Sequence, residues 1–414
     1  MREMKDSGVE WIGQIPERWQ LRRAKTLFTQ RNSKGNKVEV LLSPTQKYGV
    51  VPQSQLEGVV QVKEDTDLQM FKTIHKGDFV ISLRSFQGGF EYSLYEGVCS
   101  PAYQVFYPIT PICDLYYRYL FKSQSFISKM NNLTVGIREG KNIQYIDFAN
   151  SQIPVPPIAE QERIAAFLDA ECAEIDAVLE KTRASIEEYK KLKQAVITQA
   201  VTKGVRGDRP MKDSGIEWIG EIPAEWGGVP HKRIMHKVKE ICEQYNGEDI
   251  ISLTVNGVVK RDLTAGGKMP TSFDGYQYVE PNNLLLCLFD IDVTPRCVGV
   301  VRDYGVTSPA YSRFVMHDGY YNAYYDYLLR MIDDNKVFVH LSKNLRSSLT
   351  ESDFGAIKTC APPLAEQKCI AAFLDVRCDE IDALIAKKQQ YLTEIENYKK
   401  SLIYEYVTGK KEVV

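Results

Sequence analysis

The stretch 157-PIAEQERIAAFLDAECAEIDAVL-179 decides the organisation of the chain, because the sequence contains it twice. The second copy, 363-PLAEQKCIAAFLDVRCDEIDALI-385, follows at a constant offset of 206 residues, and 15 of the 23 aligned positions are identical. After each copy, no further Gly or Pro occurs before Gly204 and Gly409, respectively. Proline at the start and glycine just past the end are typical helix boundaries, so each copy predicts one long α-helix.

Both predicted helices carry apolar residues at spacings of three and four, as a coiled coil does. The predicted stripes are Ile164, Leu168, Ile175, Val178, Tyr189, Leu192 and Val196 in the first helix, and Ile370, Leu374, Ile381, Leu384, Ile395, Tyr398 and Leu402 in the second. At 1.5 Å per residue, each helix should be roughly 65–70 Å long. The simplest arrangement buries the stripes against each other in an antiparallel pair, and dimerisation between two chains is the alternative.

A second repeated motif stands at the start of each half. The leader 4-MKDSGVEWIGQIPERW-19 returns as 211-MKDSGIEWIGEIPAEW-226, with 12 of 16 positions identical. A period of about 206 residues is too long for a solenoid and indicates duplication of a whole unit. The two Trp residues, together with Ile12 and Ile15, predict a packed clip at the edge of the following domain rather than a binding site.

The blocks between leader and helix, about 20–153 and 227–359, diverge more but still align. Short β-rich runs at 79–83 and 284–288, with glycines between runs, predict strands joined by turns. Tyrosine-rich segments at 114–131 and 320–333 predict short helices. Each block is therefore expected to form a mixed α/β domain, and differing loops on a shared skeleton suit domains that do the same job on different targets.

The sequence thus predicts an α+β protein with an internal pseudo-two-fold duplication. Two related mixed α/β domains are separated by two long antiparallel coiled-coil helices. The predicted boundaries are 1–156 for the first leader and domain, 157–204 for the central helix, 205–361 for the second leader and domain, and 362–414 for the C-terminal helix.

Composition narrows the class of protein. The chain has 414 residues, 44% of them apolar, which allows two or three domains with cores. Its nine cysteines form no CxxC pair and show no zinc-ligand spacing, which favours reduced thiols in a cytosolic protein. The N-terminus is charged, and no apolar run approaches ~18 residues. We therefore expect a cytoplasmic protein without a signal peptide, membrane segment or metal site.

Charge is uneven along the chain. Residues 20–153 carry 16 Lys and Arg against 11 Asp and Glu, a net charge of +5, whereas residues 227–359 carry 15 against 16. Nucleic-acid binding would therefore depend on local basic patches, because the whole chain has a net charge of only −2. No P-loop, no dinucleotide-binding glycine motif, no amino-methyltransferase motif and no Ser/His/Asp order occurs. We therefore expect a non-catalytic protein.

The leader, the variable block and the Pro-Pro…Glu-Gln…Ile helix start, all written twice, resemble the specificity subunit of type I restriction-modification enzymes. The resemblance covers essentially the whole chain. It implies that each variable block is a target recognition domain that reads one half of a bipartite, asymmetric sequence in double-stranded DNA. It also implies that the helices set the gap between the half-sites.

The resemblance further implies partners. Two methyltransferase (modification) subunits, which bind S-adenosylmethionine, would dock on the helices, and restriction/translocase subunits that use ATP and Mg²⁺ would then join. No cofactor is expected on this chain itself. Partner docking is assigned to Glu160, Gln161, Glu366 and Gln367 at the two helix starts; the alternative is that these residues only fix the helix N-termini.

Basic and amide side chains on loops are the groups that contact base edges and phosphates in DNA. The candidate DNA-binding residues are Lys47, Arg84, Ser85, Gln87, Arg138, Lys141 and Asn142 in the first domain, and Lys260, Arg261, Arg296, Lys343, Asn344 and Arg346 in the second. Three other readings stay open: a stand-alone enzyme, a coiled-coil scaffold without DNA readout, and a specificity subunit of a bipartite type II-like system.

Overall fold

The computed structural model describes residues 2–34, 40–56, 68–82, 89–133, 143–264, 270–294, 296–342 and 347–413. The chain divides into two compact units. Unit 1 consists of Met1–Arg183 and Gln390–Val414, and unit 2 of Ala184–Gln389. Both divisions fall inside the long helices, so each unit combines one α/β domain with the first part of one long helix and the last part of the other.

Unit 1 is built around a four-stranded antiparallel sheet of strand order β4-β11-β8-β9. Its described strands are β1 (Met4–Asp6), β2 (Gln14–Pro16), β3 (Gln20–Arg23), β4 (Phe28–Arg31), β5 (Leu42–Thr45), β6 (Gly49–Pro52), β7 (Lys72–Ile74), β8 (Phe79–Ile81), β9 (Phe90–Tyr92), β10 (Gly97–Cys99), β11 (Gln104–Pro108) and β12 (Gln152–Val155). Its short helices are α1 (Asp114–Lys122), α2 (Gln124–Leu133) and α3 (Tyr145–Asn150). Smaller pairs are β1-β2, β3-β12, β5-β6 and β7-β10.

The first long helix, α4, spans Ile158–Lys203, and the second, α8, spans Leu364–Val407. Both confirm the predicted helices. Their antiparallel pairing is visible inside each unit: Lys399 Nζ lies 2.6 Å from Asp176 Oδ2 in unit 1, and Lys193 Nζ lies 2.6 Å from Asp382 Oδ2 in unit 2. Exposed ion pairs of this kind each contribute only ~0–1 kcal/mol, so they report the register more than they stabilise it.

Unit 2 repeats the topology of unit 1. Its strands are β13 (Met211–Asp213), β14 (Glu221–Pro223), β15 (Gly227–Pro230), β16 (Met235–Val238), β17 (Ile251–Thr254), β18 (Gly257–Lys260), β19 (Gln277–Val279), β20 (Leu284–Leu286), β21 (Val298–Val300), β22 (Gly305–Thr307), β23 (Ser312–Met316) and β24 (Lys358–Ala361). Its short helices are α5 (Asn322–Asp334), α6 (Val337–Leu341) and α7 (Glu351–Ala356). The main sheet has the order β16-β23-β20-β21, which is the order of unit 1. This shared order confirms the predicted duplication.

The apolar stripes are only partly covered by the helix pairing. Ile164, Leu168 and Ile175 are buried, as are Ile370, Leu374 and Ile381 further along the chain. In contrast, four predicted stripe residues stay exposed, namely Val178, Leu192, Leu384 and Tyr398. The apolar band is therefore wider than the seam between two helices, which is a correction to the prediction. Spacing alone identifies an apolar band, but the contact geometry of the pair decides how much of it is covered.

The leader forms the predicted clip in each unit. Strands β1 and β2 make a hairpin, and Ile12, Ile15 and Trp19 are buried in the core of unit 1. Trp226 is buried in unit 2 in the same way. The predicted tyrosine helices are also confirmed, with one difference. Ser123 has extended backbone and its hydroxyl donates to the Leu120 carbonyl, which ends α1 and separates it from α2.

Candidate nucleic-acid interface

Nine of the predicted DNA-binding residues lie outside the described residues. They are Arg84, Ser85, Gln87, Arg138, Lys141 and Asn142 in the first domain, and Lys343, Asn344 and Arg346 in the second. Their assignment therefore stays a prediction from the sequence. The remaining four, Lys47, Lys260, Arg261 and Arg296, are described.

Lys47 lies in the turn that joins β5 to β6. Its side chain is exposed, and the ammonium lies 4.9 Å from the centre of the Tyr48 ring, which is itself 61% exposed. The turn is held by Thr45, whose hydroxyl donates to the Gly49 carbonyl and accepts from the Tyr48 amide. The hairpin therefore presents a cation and an aromatic ring on a fixed turn, a pair suited to a phosphate and a neighbouring sugar or base.

Lys260 ends β18, where its partner on β17 is Ile251. Its ammonium is exposed and lies 2.8 Å from Asp249 and 3.7 Å from Asp303. The hydrogen bond and the charge of Asp249 raise the pKa of Lys260, and the charge of Asp303 raises it to a smaller extent. A phosphate would have to compete with these two carboxylates. Arg261 follows as an exposed residue, with its backbone N–H donating to Ile250 O over 2.7 Å.

Arg296 is partly buried and bonds to the backbone of its own domain. Its Nε donates to Val298 O over 2.8 Å, and Nη1 lies 3.4 Å from Val255 O, at the tip of the β17-β18 hairpin. Burial, and then the charge of Arg330, lowers the pKa of the guanidinium. Arg296 therefore stabilises the tip of the β17-β18 hairpin, a role that the sequence did not indicate.

Arg296 also borders a cavity of about 660 Å³ in unit 2, between the β17-β18 hairpin and the start of α8. The cavity is lined by cations and carboxylates in similar number, including Arg302, Arg330, Asp326 and Asp375. Burial raises the pKa of Asp326, and Arg330 opposes that rise. Balanced charges of this kind select neither an anion nor a cation. No group of His, Cys, Asp or Glu suited to a metal ion is found within the described ranges.

The acidic residues at the helix starts are buried, which favours the alternative that they fix the helix N-termini. Glu160 Oε2 accepts a hydrogen bond of 3.0 Å from the Trp19 indole, and its other oxygen pairs with Arg2. Glu366 repeats this arrangement with Trp226 at 2.9 Å and Arg209 at 2.6 Å. Each carboxylate therefore joins the leader to the helix N-terminus, where negative charge is favoured.

The neighbouring glutamines are equally occupied inside the chain. Gln161 accepts from the backbone N–H of Cys113 over 2.9 Å and donates to Pro156 O over 2.8 Å. Gln367 accepts from the Tyr321 N–H over 2.7 Å and donates to Pro362 O over 2.8 Å. Both side chains are at most 2% exposed. The structure favours the alternative that these pairs fix the helix starts, and their assignment to partner docking stays a prediction.

Two tyrosines in each unit fasten the domain to both long helices. Tyr116 OH donates to the Val407 carbonyl near the end of α8, and Tyr119 OH donates to Asp169 on α4 over 2.6 Å. In unit 2 the corresponding bonds run from Tyr324 to the Val201 carbonyl over 2.8 Å, and from Tyr327 to Asp375 over 2.8 Å. Sequence reasoning treated these tyrosines only as helix residues. The signal that could have identified them was their repetition at the same spacing in both halves.

The end of each long helix is bonded to the leader region of its own unit, through different contacts in the two units. In unit 1, Lys410 Nζ donates to Ile12 O over 2.7 Å, and Gly409 lies against Pro16 and Trp19. In unit 2, Arg209 donates to the Lys203 carbonyl over 2.7 Å. Each domain is thus held to its part of the helix pair at the leader, at the helix start and through two tyrosines.

Of the helices in the described ranges, none is long and apolar enough to cross a membrane.

Comparisons with known proteins show which proteins this chain resembles. Residues 14–188 match the family described as type I restriction modification DNA specificity domain. The chain is 24% identical to the putative type I restriction enzyme MjaX specificity subunit of Methanocaldococcus jannaschii, over 97% of this chain and 96% of that protein. It is 26% identical to the MjaVIII specificity subunit of the same organism, over 72% and 71% of the two chains.

Solved structures share the fold. A chain from a study of complex assembly and conformational transition in a type I R-M system superposes with a TM-score of 0.72 at 15% identity, covering 96% of this chain and 99% of that one. The HsdS subunit of Thermoanaerobacter tengcongensis superposes with a TM-score of 0.50 at 16% identity, covering 96% and 98%. Residues 14–188 therefore match the type I restriction modification DNA specificity domain family, and nearly the whole chain is similar to type I restriction enzyme specificity subunits.

Proposed function

We propose that this chain is the non-catalytic, sequence-specific DNA-binding subunit of a type I restriction-modification complex, and that each domain reads one half of a bipartite DNA target. The observation that carries the proposal is that both units attach a variable domain to the long helices through the same set of contacts, which we call the common frame. The sheet order, the Trp–Glu clip and the two tyrosine bonds recur in both units, whereas the loops differ. A shared frame with different loops suits two readers of different half-sites.

Of the candidate DNA contacts in the described ranges, Lys47 lies on a hairpin turn and Lys260 at the end of a hairpin strand. Lys47 and Tyr48 are exposed on a short turn between paired strands, so DNA contact there would cost little conformational entropy. The first domain also carries the net charge of +5 that favours a polyanion. Arg84, Arg138 and Lys343 and their neighbours lie outside the described residues and stay proposed DNA contacts, either to base edges or to phosphates.

The long helices are proposed to set the gap between the half-sites. Two readers on the same face of B-DNA are separated by about one helical turn, roughly 34–36 Å or 10 bp. A helix holds such a distance because its rise per residue is constant, whereas a flexible linker would allow many gaps. Both helices are continuous where the chain divides into units, at residues 183–184 and 389–390.

The same helices are proposed to dock two methyltransferase subunits, to which restriction/translocase subunits then bind. Exposed apolar and aromatic side chains on the helices support this proposal, because aromatic side chains are enriched at protein interfaces. They are Val178, Leu192, Phe373, Val376, Leu384, Tyr391 and Tyr398. S-adenosylmethionine, ATP and Mg²⁺ are assigned to the partner subunits, and this chain is proposed to bind none of them.

The test is a map of methylated adenines in the host genome, with and without this gene. We expect one split motif, methylated on both strands about one turn apart, to disappear in the deletion strain and return on complementation. An unchanged methylome, with the partner methyltransferase expressed, would contradict the proposal and favour a scaffold. Methyl transfer by the purified chain alone would instead support the alternative that the chain is a stand-alone enzyme.

A further inference from the structure

Unit 2 has a groove beside the end of α4. We call it the Phe373 groove; it is lined by Val196, Gln199, Ala200, Gly204, Val205, Arg206, Gly207, Phe373 and Arg377. Its volume is about 290 Å³, and the Phe373 ring at its wall is 39% exposed. Phe373 lies next to small residues, and one face of its ring is not covered by any described side chain.

The duplication shows what fills the same place in unit 1. Val201 and Val407 are equivalent, because their carbonyls accept the equivalent bonds from Tyr324 and Tyr116. This alignment, at an offset of 206, matches Ala200 with Tyr406 and Phe373 with Phe167. The Tyr406 and Phe167 rings lie 4.5 Å apart, tilted by 40°. In unit 1 an aromatic side chain of the chain itself therefore covers the phenylalanine, whereas in unit 2 an alanine leaves it open.

The rim of the groove differs in charge between the units. In unit 2 it carries Arg206 and Arg377, which are both exposed; Arg377 pairs with Glu380 over 2.6 Å. The same alignment places Glu171 at the position of Arg377 in unit 1. The two arginines give the Phe373 groove a basic rim, to which an acidic segment is attracted.

We propose that the Phe373 groove receives an aromatic side chain, flanked by acidic residues, from a methyltransferase subunit. The occupant imitates Tyr406, and its flanking carboxylates pair with Arg206 and Arg377. This inference rests on the proposed function, because it takes the methyltransferase subunit as the partner. It goes beyond that function in making the two docking sites unequal. One methyltransferase subunit inserts an aromatic anchor, and the other meets a site that the chain has already filled.

The test is an Ala200→Tyr variant of the full chain, which gives unit 2 the tyrosine of unit 1. The matched control is Ala195→Tyr, an exposed alanine on the same helix. Binding of the purified methyltransferase subunit is measured by titration calorimetry, with native mass spectrometry to count bound subunits. We expect two sites in the wild type and the control. One of the two should weaken about 10- to 100-fold in Ala200→Tyr, because buried aromatic anchors dominate interface energies.

A second variant, Arg206→Glu with Arg377→Glu, changes only exposed side chains and should weaken the same site more strongly at low salt than at high salt. It keeps the proposal testable if Ala200→Tyr does not fold. Wild-type-like binding by both variants would overturn the groove proposal while leaving the proposed function intact. Absence of any binding by the wild type would overturn the proposed function itself. Self-association of the wild-type chain that disappears in Ala200→Tyr would identify a second copy as the occupant and overturn the proposal.

Discussion

Gly409 gives the sharpest test of how the end of α8 meets the first leader. The residue follows the helix with φ of +73°, and its N–H donates to Tyr406 O over 3.1 Å. A Cβ at this position would lie 2.5 Å from Pro16 Cδ and 2.9 Å from Trp19 Cη2. A proline ring cannot rotate away, and Trp19 is fully buried. Gly409→Ala therefore combines the conformational cost of a positive φ with a steric clash that neither Pro16 nor Trp19 can relieve by moving.

The two costs can be separated by a control. Gly8 has φ of +67°, and no heavy atom lies within 4 Å of the place that a Cβ would take there, so Gly8→Ala carries the backbone cost alone. That cost is about 1–2 kcal/mol for an L-residue in the left-handed region. Overpacking against a rigid neighbour adds about 1–3 kcal/mol. We therefore expect Gly409→Ala to destabilise unit 1 by about 2–5 kcal/mol, and Gly8→Ala by about 1–2 kcal/mol.

Differential scanning calorimetry of the full chain is the appropriate assay, because a two-unit chain need not unfold in one step. A unit of this size loses about 2–4 °C in melting temperature for each kcal/mol. Gly409→Ala should lower the transition of unit 1 by several degrees more than Gly8→Ala does. Equal losses in the two variants would refute the packing of α8 against Pro16 and Trp19.

Three further predictions follow from the buried polar groups and the exposed cations. Trp226→Phe removes the indole donor from buried Glu366 and should lower the free energy of unfolding by about 1–3 kcal/mol, measured by urea denaturation. Trp19→Phe should give a similar loss. An unchanged free energy of unfolding in both variants would contradict a stabilising role for these Trp–Glu hydrogen bonds. Burial lowers the pKa of His231 to about 3 from an ordinary 6.5, so the folded state keeps it neutral and stability falls as pH decreases from about 6.5 towards 3. His231→Ala, which copies Ala24 of unit 1, should reduce that slope by up to ~1.4 kcal/mol per pH unit, and an unchanged slope would exclude His231 as its source. Lys47→Ala should weaken binding about equally to all DNA sequences and reduce the salt slope by about 1; loss confined to one base position would instead assign Lys47 to base readout.

Several features were predictable because their signals are local or repeated. The Pro-Pro start, the long run without Gly or Pro and the terminal glycine identify α4 and α8 from the sequence alone, since each is a short-range backbone preference. The duplication was evident from the leaders and helix starts. The strands within 79–83 and 284–288 were also found, because short apolar runs bounded by turn residues favour buried strands.

The sequence left two roles open for Glu160, Gln161, Glu366 and Gln367, namely partner docking and fixing the helix starts. Charged and amide residues at a helix start look the same in a sequence whether they face solvent or a buried indole, and only the approach of the leader decides between these environments. The same holds for Arg296, whose carbonyl partner Val255 is 41 residues away along the chain.

The amino-acid sequence by itself determined that the chain is duplicated, with two long helices and two related domains, because the repeats appear when its two halves are compared and helix boundaries depend on neighbouring residues. Only the tertiary structure decided which part of the apolar band stays uncovered and why the two halves differ at the helix ends. Tyr406 covers Phe167, and Ala200 leaves Phe373 open, although both pairs lie at least 173 residues apart in sequence. Contacts over such separations depend on how helices and leaders pack, and no local pattern encodes that packing.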